Sequence, residues 1–242
     1  MLIAIEGIDG AGKTHIAGRL ARALSQRGHP ARALNKSDIT FGDNFADSRL
    51  SLLKEVIWPQ QGEPKQDLLG THFYLHLLAA WFSAIGCLLK GSRTISVMDG
   101  SQYRVIAKAH RRSGLSLDVL RGYFASAAEP DLVVLLSIDP RLSWTRRAQF
   151  KETELGRWDG LAGDPRTAYC AYQDSIQVLL MQMAEADGWM VVPQDETTRD
   201  TDVVDAILQH LSVYTDQPNS RPLSVPELQL LADQPELTPA AT

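Results

Sequence analysis

The chain has 242 residues, 44% hydrophobic and 22% charged, with a net charge of −5. That balance suits a soluble globular protein with room for one α/β domain carrying insertions, rather than two full domains. The acidic excess and the lack of a Lys/Arg cluster argue against broad nucleic-acid binding, which draws its affinity from clustered cations. Cys87 and Cys170 lie in apolar or helical stretches without metal-ligand spacing, so a reducing compartment is expected. The opening Met-Leu-Ile-Ala-Ile-Glu has no basic region or long apolar run. The most apolar stretch, Leu75 to Leu89, is interrupted by His76, Ser83 and Gly86 and reads as too short for a bilayer. A cytoplasmic location with no membrane and no nucleic-acid partner is therefore the expectation.

In chain order, residues 2–6 are an apolar strand, followed at once by Gly7-Ile8-Asp9-Gly10-Ala11-Gly12-Lys13-Thr14. Ile16, Ala17, Leu20, Ala21 and Leu24 then recur at helical spacing to about Gln26, where Gly28 and Pro30 stop the helix. Residues 31–35 read as a second strand and 37–46 as a loop. Helices are expected over 47–57 and 66–90, divided by a Pro59–Pro64 break, then a strand from Thr94 to Met98 ending at Asp99. Helical material follows from 102 to 127. Asp131–Ile138 is the strongest strand, its unbroken apolar run fitting a parallel strand covered on both faces. A helix over 141–150 carries Arg146 and Arg147, and 151–163 is polar and Gly-containing. A helix over 165–187, a strand over 189–192 and a helix over 200–213 complete the alternation of a parallel sheet wrapped by helices. The domain is expected to span 1–214. Beyond it, 215–242 reads as a Pro-rich, loosely attached tail with one short helical possibility at 225–232.

The segment Gly7–Thr14 satisfies G-x-x-x-x-G-K-[ST], with a strand before it and a helix after it, the context this phosphate loop requires. Glycines let backbone N–H groups turn toward a phosphate, and the following helix adds its positive N-terminal end. Lys13, read as an exposed loop residue, brings charge to the β- and γ-phosphates of ATP, and the Thr14 hydroxyl can join a Mg²⁺ shell. Gly7, Asp9, Gly10, Ala11 and Gly12 complete the expected ATP-binding loop. The loop alone does not select the reaction, because hydrolases, kinases and regulators share it.

From Leu2 to Thr14 the chain closely resembles the opening of bacterial members of the thymidylate kinase family. Glu6 before the loop, with Asp9 and Gly10 inside it, is narrower than the general pattern. Asp99 ending strand three, Pro130-Asp131-Leu132 opening strand four, Ile138-Asp139-Pro140 closing it and Ala171-Tyr172-Gln173 add to the likeness over residues 1–213. The resemblance implies a P-loop, nucleoside monophosphate kinase-like α/β fold with a five-stranded parallel sheet flanked by helices, and a lid segment. It also implies ATP with Mg²⁺ as donor, a nucleotide-like acceptor and a homodimer.

It places Asp9 near the acceptor sugar. Gly10 puts the chain in the type whose lid supplies the catalytic arginine, here Arg157, with Arg147 and Arg146 in support. An arginine suits charge spread over a transferring phosphoryl group; the plain alternative is a solvated helix face. Asp99 stands where open α/β sheets place ligand-contacting residues. It would hold the Mg²⁺ shell or accept the acceptor's proton, or else cap the next helix.

The chain departs from the family at the acceptor. Gly100 follows Asp99 where the family has an arginine that grips the acceptor phosphate, and His76 falls near a second such position. Lys36, His76, Arg104 and Lys108 could restore charge, and Phe73, Tyr74 or Trp81 could stack on a base, unless these are surface or core residues. A kinase of a non-phosphorylated acceptor and an ATP-binding regulator remain as alternatives.

Overall fold

The computed structural model describes residues 1–37, 39–58 and 71–215. The Pro59–Pro64 break, the start of the helix expected from 66, and the tail beyond Asp216 lie outside the described residues. Five strands form one sheet in the order β2-β3-β1-β4-β5: β1 Leu2–Gly7, β2 Ala31–Leu34, β3 Ile95–Met98, β4 Leu132–Ile138 and β5 Met190–Gln194. Every neighbouring pair is parallel, with Ile3 beside Val97 on one side and Ile5 beside Val134 on the other. β1 is buried along its whole length, and Val134, Leu135 and Leu136 of β4 are fully enclosed, the double-sided burial that an unbroken apolar run predicts. Pro193 sits on edge strand β5, where a missing N–H costs no ladder bond on the open side.

The described helices are α1 Lys13–Gln26, α2 Asn44–Ile57, α3 Thr71–Leu89, α4 Tyr103–Ser113, α5 Leu117–Tyr123, α6 Pro140–Thr145, α7 Pro165–Asp187 and α8 Asp200–Thr215. α1 packs on β1, β2, β3 and α8, while α4 packs on β1 and against α7, which lies on β4.

The helical stretch expected over 102–127 is two helices. Gly114 adopts a left-handed conformation and its N–H returns to the His110 carbonyl, which ends α4. Ser116 then caps α5 by accepting from the Val119 N–H. The helix expected over 141–150 stops at Thr145, and the chain beyond leaves the sheet as the lid. The apolar stretch read as too short for a bilayer belongs to a helix whose segment His72–Leu89 is long and apolar enough by length and composition. Leu75, Leu78, Trp81, Phe82 and Ile85 bury one side of it in the core.

β1 is the middle strand, with β2 and β3 added on one side of it and β4 and β5 on the other. The loop leaving its carboxyl end therefore opens at the switch point of the sheet, where such folds bind ligands.

Candidate functional site

The loop after β1 is held from several elements at once. Its Asp9 carbonyl accepts from the Ser143 hydroxyl of α6 at 2.7 Å and from the Tyr169 hydroxyl of α7. The Asp9 N–H donates to Gln173 Oε1 at 3.0 Å, and the Ala11 carbonyl accepts from Gln194 Nε2 at 3.4 Å. Gly10 is required by this clamp. Its φ is +82°, and a Cβ there would lie 2.3 Å from Ser143 Oγ.

Lys13 is not exposed: as the first residue of α1 it is 8% accessible, and its ammonium donates to the Ile8 carbonyl at 2.5 Å. Burial, then the neighbouring Arg104, push it well below the usual lysine range. Phosphate oxygens brought into the loop would supply the anionic partner that this ammonium lacks.

Asp9 carries a second set of contacts on its carboxylate. Arg104 pairs with Oδ1, while Lys108 at 3.0 Å and Gln173 Nε2 at 3.2 Å donate to Oδ2. Burial opposes its ionisation, yet Arg104, Lys108 and Lys13 outweigh burial and hold Asp9 well below the usual carboxylate range. Arg104 and Lys108 lie four residues apart on α4, so one helix face delivers both cations.

Asp99, at the end of β3, accepts from the Thr14 hydroxyl at 2.8 Å through Oδ2 and from the Lys36 N–H at 3.2 Å through Oδ1. A hydroxyl and a carboxylate are hard oxygen donors that fit Mg²⁺, which binds few protein oxygens and completes its shell with phosphates and water. Among the described residues no group of three or more His, Cys, Asp or Glu could hold a metal by itself. Glu6 is fully buried; its Oε1 accepts from both the N–H and the hydroxyl of Ser101 at 2.6 Å, and its Oε2 has no partner.

The Lys36 ammonium is also enclosed, without a hydrogen-bond partner among the described residues, while its carbonyl accepts from Trp81 Nε1 at 2.6 Å. Gly100 has φ +95°, and a Cβ there would lie 2.6 Å from Lys36 Nζ and 3.8 Å from Glu6 Oε2. A cation thus stands over Gly100, brought there from the end of β2. Burial and then Arg104 lower Lys36 to about 8, against the opposing pull of Glu6, Asp99 and Asp9.

In the lid, Arg146 donates to Gln194 Oε1 at 2.8 Å and Arg147 to Glu154 Oε1 at 2.9 Å. The Glu154 carbonyl accepts from Gln173 Nε2 at 2.8 Å, which links the lid to the Asp9 network. Trp144 and Phe150 stack at 4.0 Å, with the Arg147 guanidinium 5.3 Å from the Phe150 ring. Arg157 turns onto its own lid, donating to the carbonyls of Leu161 at 3.1 Å and Gly163 at 2.6 Å.

Lys13, Thr14, Asp9, Asp99, Lys36 and Arg104 are therefore brought together. Phe73 is 51% exposed, and His76 is exposed with its ring edge-on to Tyr123 at 4.9 Å, so the contacts of neither reach the Asp9 cluster. Trp81 is core that also fixes the Lys36 backbone. Sequence reasoning assigned no role to Glu6, Ser143, Tyr169 or Gln173. A carboxylate closing the apolar run 2–5 was the one local signal for Glu6.

A family profile described as thymidylate kinase matches residues 5–157, from the middle of β1 to the lid arginine. The chain belongs to the thymidylate kinase family. It is thereby grouped with ATP-dependent nucleotide kinases. It is 31% identical over 147 residues to a probable thymidylate kinase of Archaeoglobus fulgidus, covering 60% of this chain and 68% of that protein. It is 35% identical over 147 residues to a thymidylate kinase of Xanthomonas campestris pv. campestris, and 34% over 142 residues to that of Xanthomonas euvesicatoria pv. vesicatoria. Each of these two matches covers 58% of this chain and 57% of the relative, little more than half its length.

The enclosed Lys36 ammonium sets a pH signature. Its folded value near 8 lies below the ordinary 10.5, so between these limits the unfolded chain binds more protons and stability rises with pH. Below pH 8 the full penalty applies, on the order of 3 kcal/mol at about 1.4 kcal/mol per pK unit. Lys36→Met is accordingly expected to be more stable than wild type at pH 7, with the difference shrinking toward pH 10.5. Urea unfolding of both proteins across that range measures it; a difference independent of pH would show that Lys36 is not held as an enclosed charge.

Proposed function

We propose that this chain transfers the γ-phosphoryl group of ATP to a nucleoside monophosphate or a related nucleotide-like small molecule. The observation that carries the reading is the meeting of Lys13, Thr14 and Asp99 at the mouth of the phosphate loop, beside the Asp9–Arg104–Lys108 cluster. In this reading the N–H groups from Gly7 to Thr14 and the positive end of α1 receive the ATP phosphates. Lys13 exchanges the Ile8 carbonyl for β- and γ-phosphate oxygens. Thr14 and Asp99 would hold Mg²⁺, which would neutralise charge on the two phosphates as it is transferred. Asp99, Lys36, Asp9 and Arg104 face the acceptor; Phe73 and His76, which the sequence also offered for it, make no contact with this cluster.

Transfer needs positive charge over the equatorial phosphoryl oxygens, and the lid arginines supply it. Arg157 takes this role on leaving Leu161 and Gly163, with Arg147 and Arg146 at the hinge of the lid. Exposed Phe45, Leu52 and Val56 on α2 and Phe73 on α3 support pairing with a second copy. The reading also assigns the protein to the cytoplasm, with no nucleic-acid or membrane partner.

Lys13→Ala is expected to reduce phosphoryl transfer by roughly 10²–10³, as for loss of other single electrostatic stabilisers. Coupled measurement of ADP formation over a panel of nucleoside monophosphates, with circular dichroism to check the fold, tests it. Wild-type turnover in the variant would remove the phosphate-loop assignment.

Arg157→Ala is expected to lower kcat at least about tenfold while leaving the KM for ATP nearly constant, because its contact forms with the developing charge. An unchanged kcat, with the loss appearing in Arg147→Ala instead, transfers the role to Arg147.

Sedimentation equilibrium at micromolar concentration is expected to give twice the chain mass. A monomer throughout that range would dispose of the paired form.

A further inference from the structure

Two enclosed groups of opposite charge lie beside the Cβ position of Gly100, and each has a hydrogen-bonding capacity that the described residues leave unused. Among the described residues Lys36 Nζ has no acceptor, and Glu6 Oε2 has no donor although Glu6 is fully buried. Both lie within 4 Å of where a Gly100 Cβ would stand, yet they form neither a hydrogen bond nor an ion pair with each other. A third unpartnered atom, Oε1 of Gln102, belongs to the residue after Ser101, whose N–H and hydroxyl hold the other Glu6 oxygen. Buried polar atoms left unpaired are costly, and a native chain keeps them where something else completes them.

The chemistry of the set restricts what completes it. A phosphate or carboxylate suits Lys36 but carries no proton to donate, so it leaves the free Glu6 oxygen unmatched. A divalent cation suits Glu6 and is repelled by Lys36 and by Arg104, whose charge acts on Lys36. A hydroxyl satisfies both, because its oxygen accepts from the ammonium while its proton is donated to the carboxylate. Asp9 cannot take over this work: its carboxylate is already engaged by Arg104, Lys108 and Gln173.

We propose that Lys36 and Glu6 together bind a sugar hydroxyl of the acceptor over Gly100, making this pair a determinant of acceptor specificity. The proposal rests on the kinase reading above and narrows the acceptor to one that presents a ribose hydroxyl at this point. Gly100 is part of the device: any side chain there would collide with the ammonium and would be strained at φ +95°. Lys36 is carried into position by the Trp81 bond to its carbonyl and the Asp99 bond to its N–H. Such a site rejects an analogue that lacks the hydroxyl, because the pair is then left buried and unmatched.

Calorimetric titration with uridylate, its 2′-deoxy and 3′-deoxy counterparts, and uridine tests this. Each is added to protein saturated with Mg²⁺ and a non-hydrolysable ATP analogue, using wild type, Lys36→Met and Glu6→Gln. Glu6→Gln keeps an oxygen for Ser101 and turns the free acceptor into a donor. Removal of one of the two hydroxyls is expected to weaken wild-type binding on the order of 10- to 100-fold, as for hydrogen bonds to charged groups. The same removal is expected to cost less than about threefold in either variant, the coupling that a direct contact produces. An equal cost in all three proteins overturns the proposal, as does failure of every probe to bind wild type. If Lys36→Met instead abolishes the difference between uridine and uridylate, Lys36 binds the phosphate and the hydroxyl assignment falls. Binding of the ATP analogue is measured first, in a separate titration of the free protein, and its absence in wild type marks failure of the kinase reading itself.

Discussion

Asp9 takes two cations on its carboxylate and two hydroxyls on its carbonyl, and its N–H is held by Gln173. One residue of the phosphate loop thereby ties together α4, α6, α7 and, through Glu154, the lid. The arrangement holds because every polar atom of a buried aspartate has found a partner, and because the charge of Arg104 and Lys108 outweighs the burial that would otherwise protonate it. Removing both cations would leave a buried charge without an ion-pair partner at the point where the loop is clamped. The geometry of the loop therefore depends on residues about a hundred positions away in the chain.

The satisfied state of Asp9 contrasts with its surroundings. Lys13 has only a backbone carbonyl for its ammonium, and neither the Lys36 ammonium nor one Glu6 oxygen has a partner. These groups line the carboxyl ends of β1, β2 and β3, the edge of the sheet that α/β proteins give to ligands. A core built for stability alone would not enclose them. On the proposed reading, the fold gives up stability here for polarity that a bound nucleotide and acceptor would match, a trade common at functional sites.

The lid is arranged by the same logic of partners. Arg146 and Arg147 lie just beyond α6, one tied to β5 through Gln194 and the other to Glu154. Arg157 binds two carbonyls of the lid itself, and Gly156 lets the backbone pass against the Tyr172 ring, where a Cβ would lie 2.7 Å from it. A guanidinium bonded to neutral carbonyls gains a full opposite charge, and a bidentate acceptor, when it exchanges them for phosphoryl oxygens. That difference gives the proposed role of Arg157 a physical basis without any larger rearrangement of the sheet.

The sequence by itself determined whatever depends on neighbouring residues. The glycine spacing of the phosphate loop, the apolar runs of β1 and β4, the helical period of α1 and the place of Asp99 at the end of β3 could all be read directly, as could the family. Local rules also held the signals that were misjudged: Gly114 and Ser116 ended one helix and began another within the stretch 102–127. Only the tertiary structure decided which charges meet. Arg104 and Lys108 could be read only as charge available to the acceptor, or as surface, until α4 packed against β1 and brought them to Asp9, 95 and 99 positions away in sequence. Lys36 stood for charge restored somewhere near the acceptor until Trp81, 45 positions away, fixed its backbone and left its ammonium over Gly100. His76 and Phe73 showed the converse, because helical spacing names a face without saying what lies opposite it. Periodicity reports burial along one element, whereas the partner of a buried charge is chosen by packing between elements distant in the chain, and no local pattern records that choice.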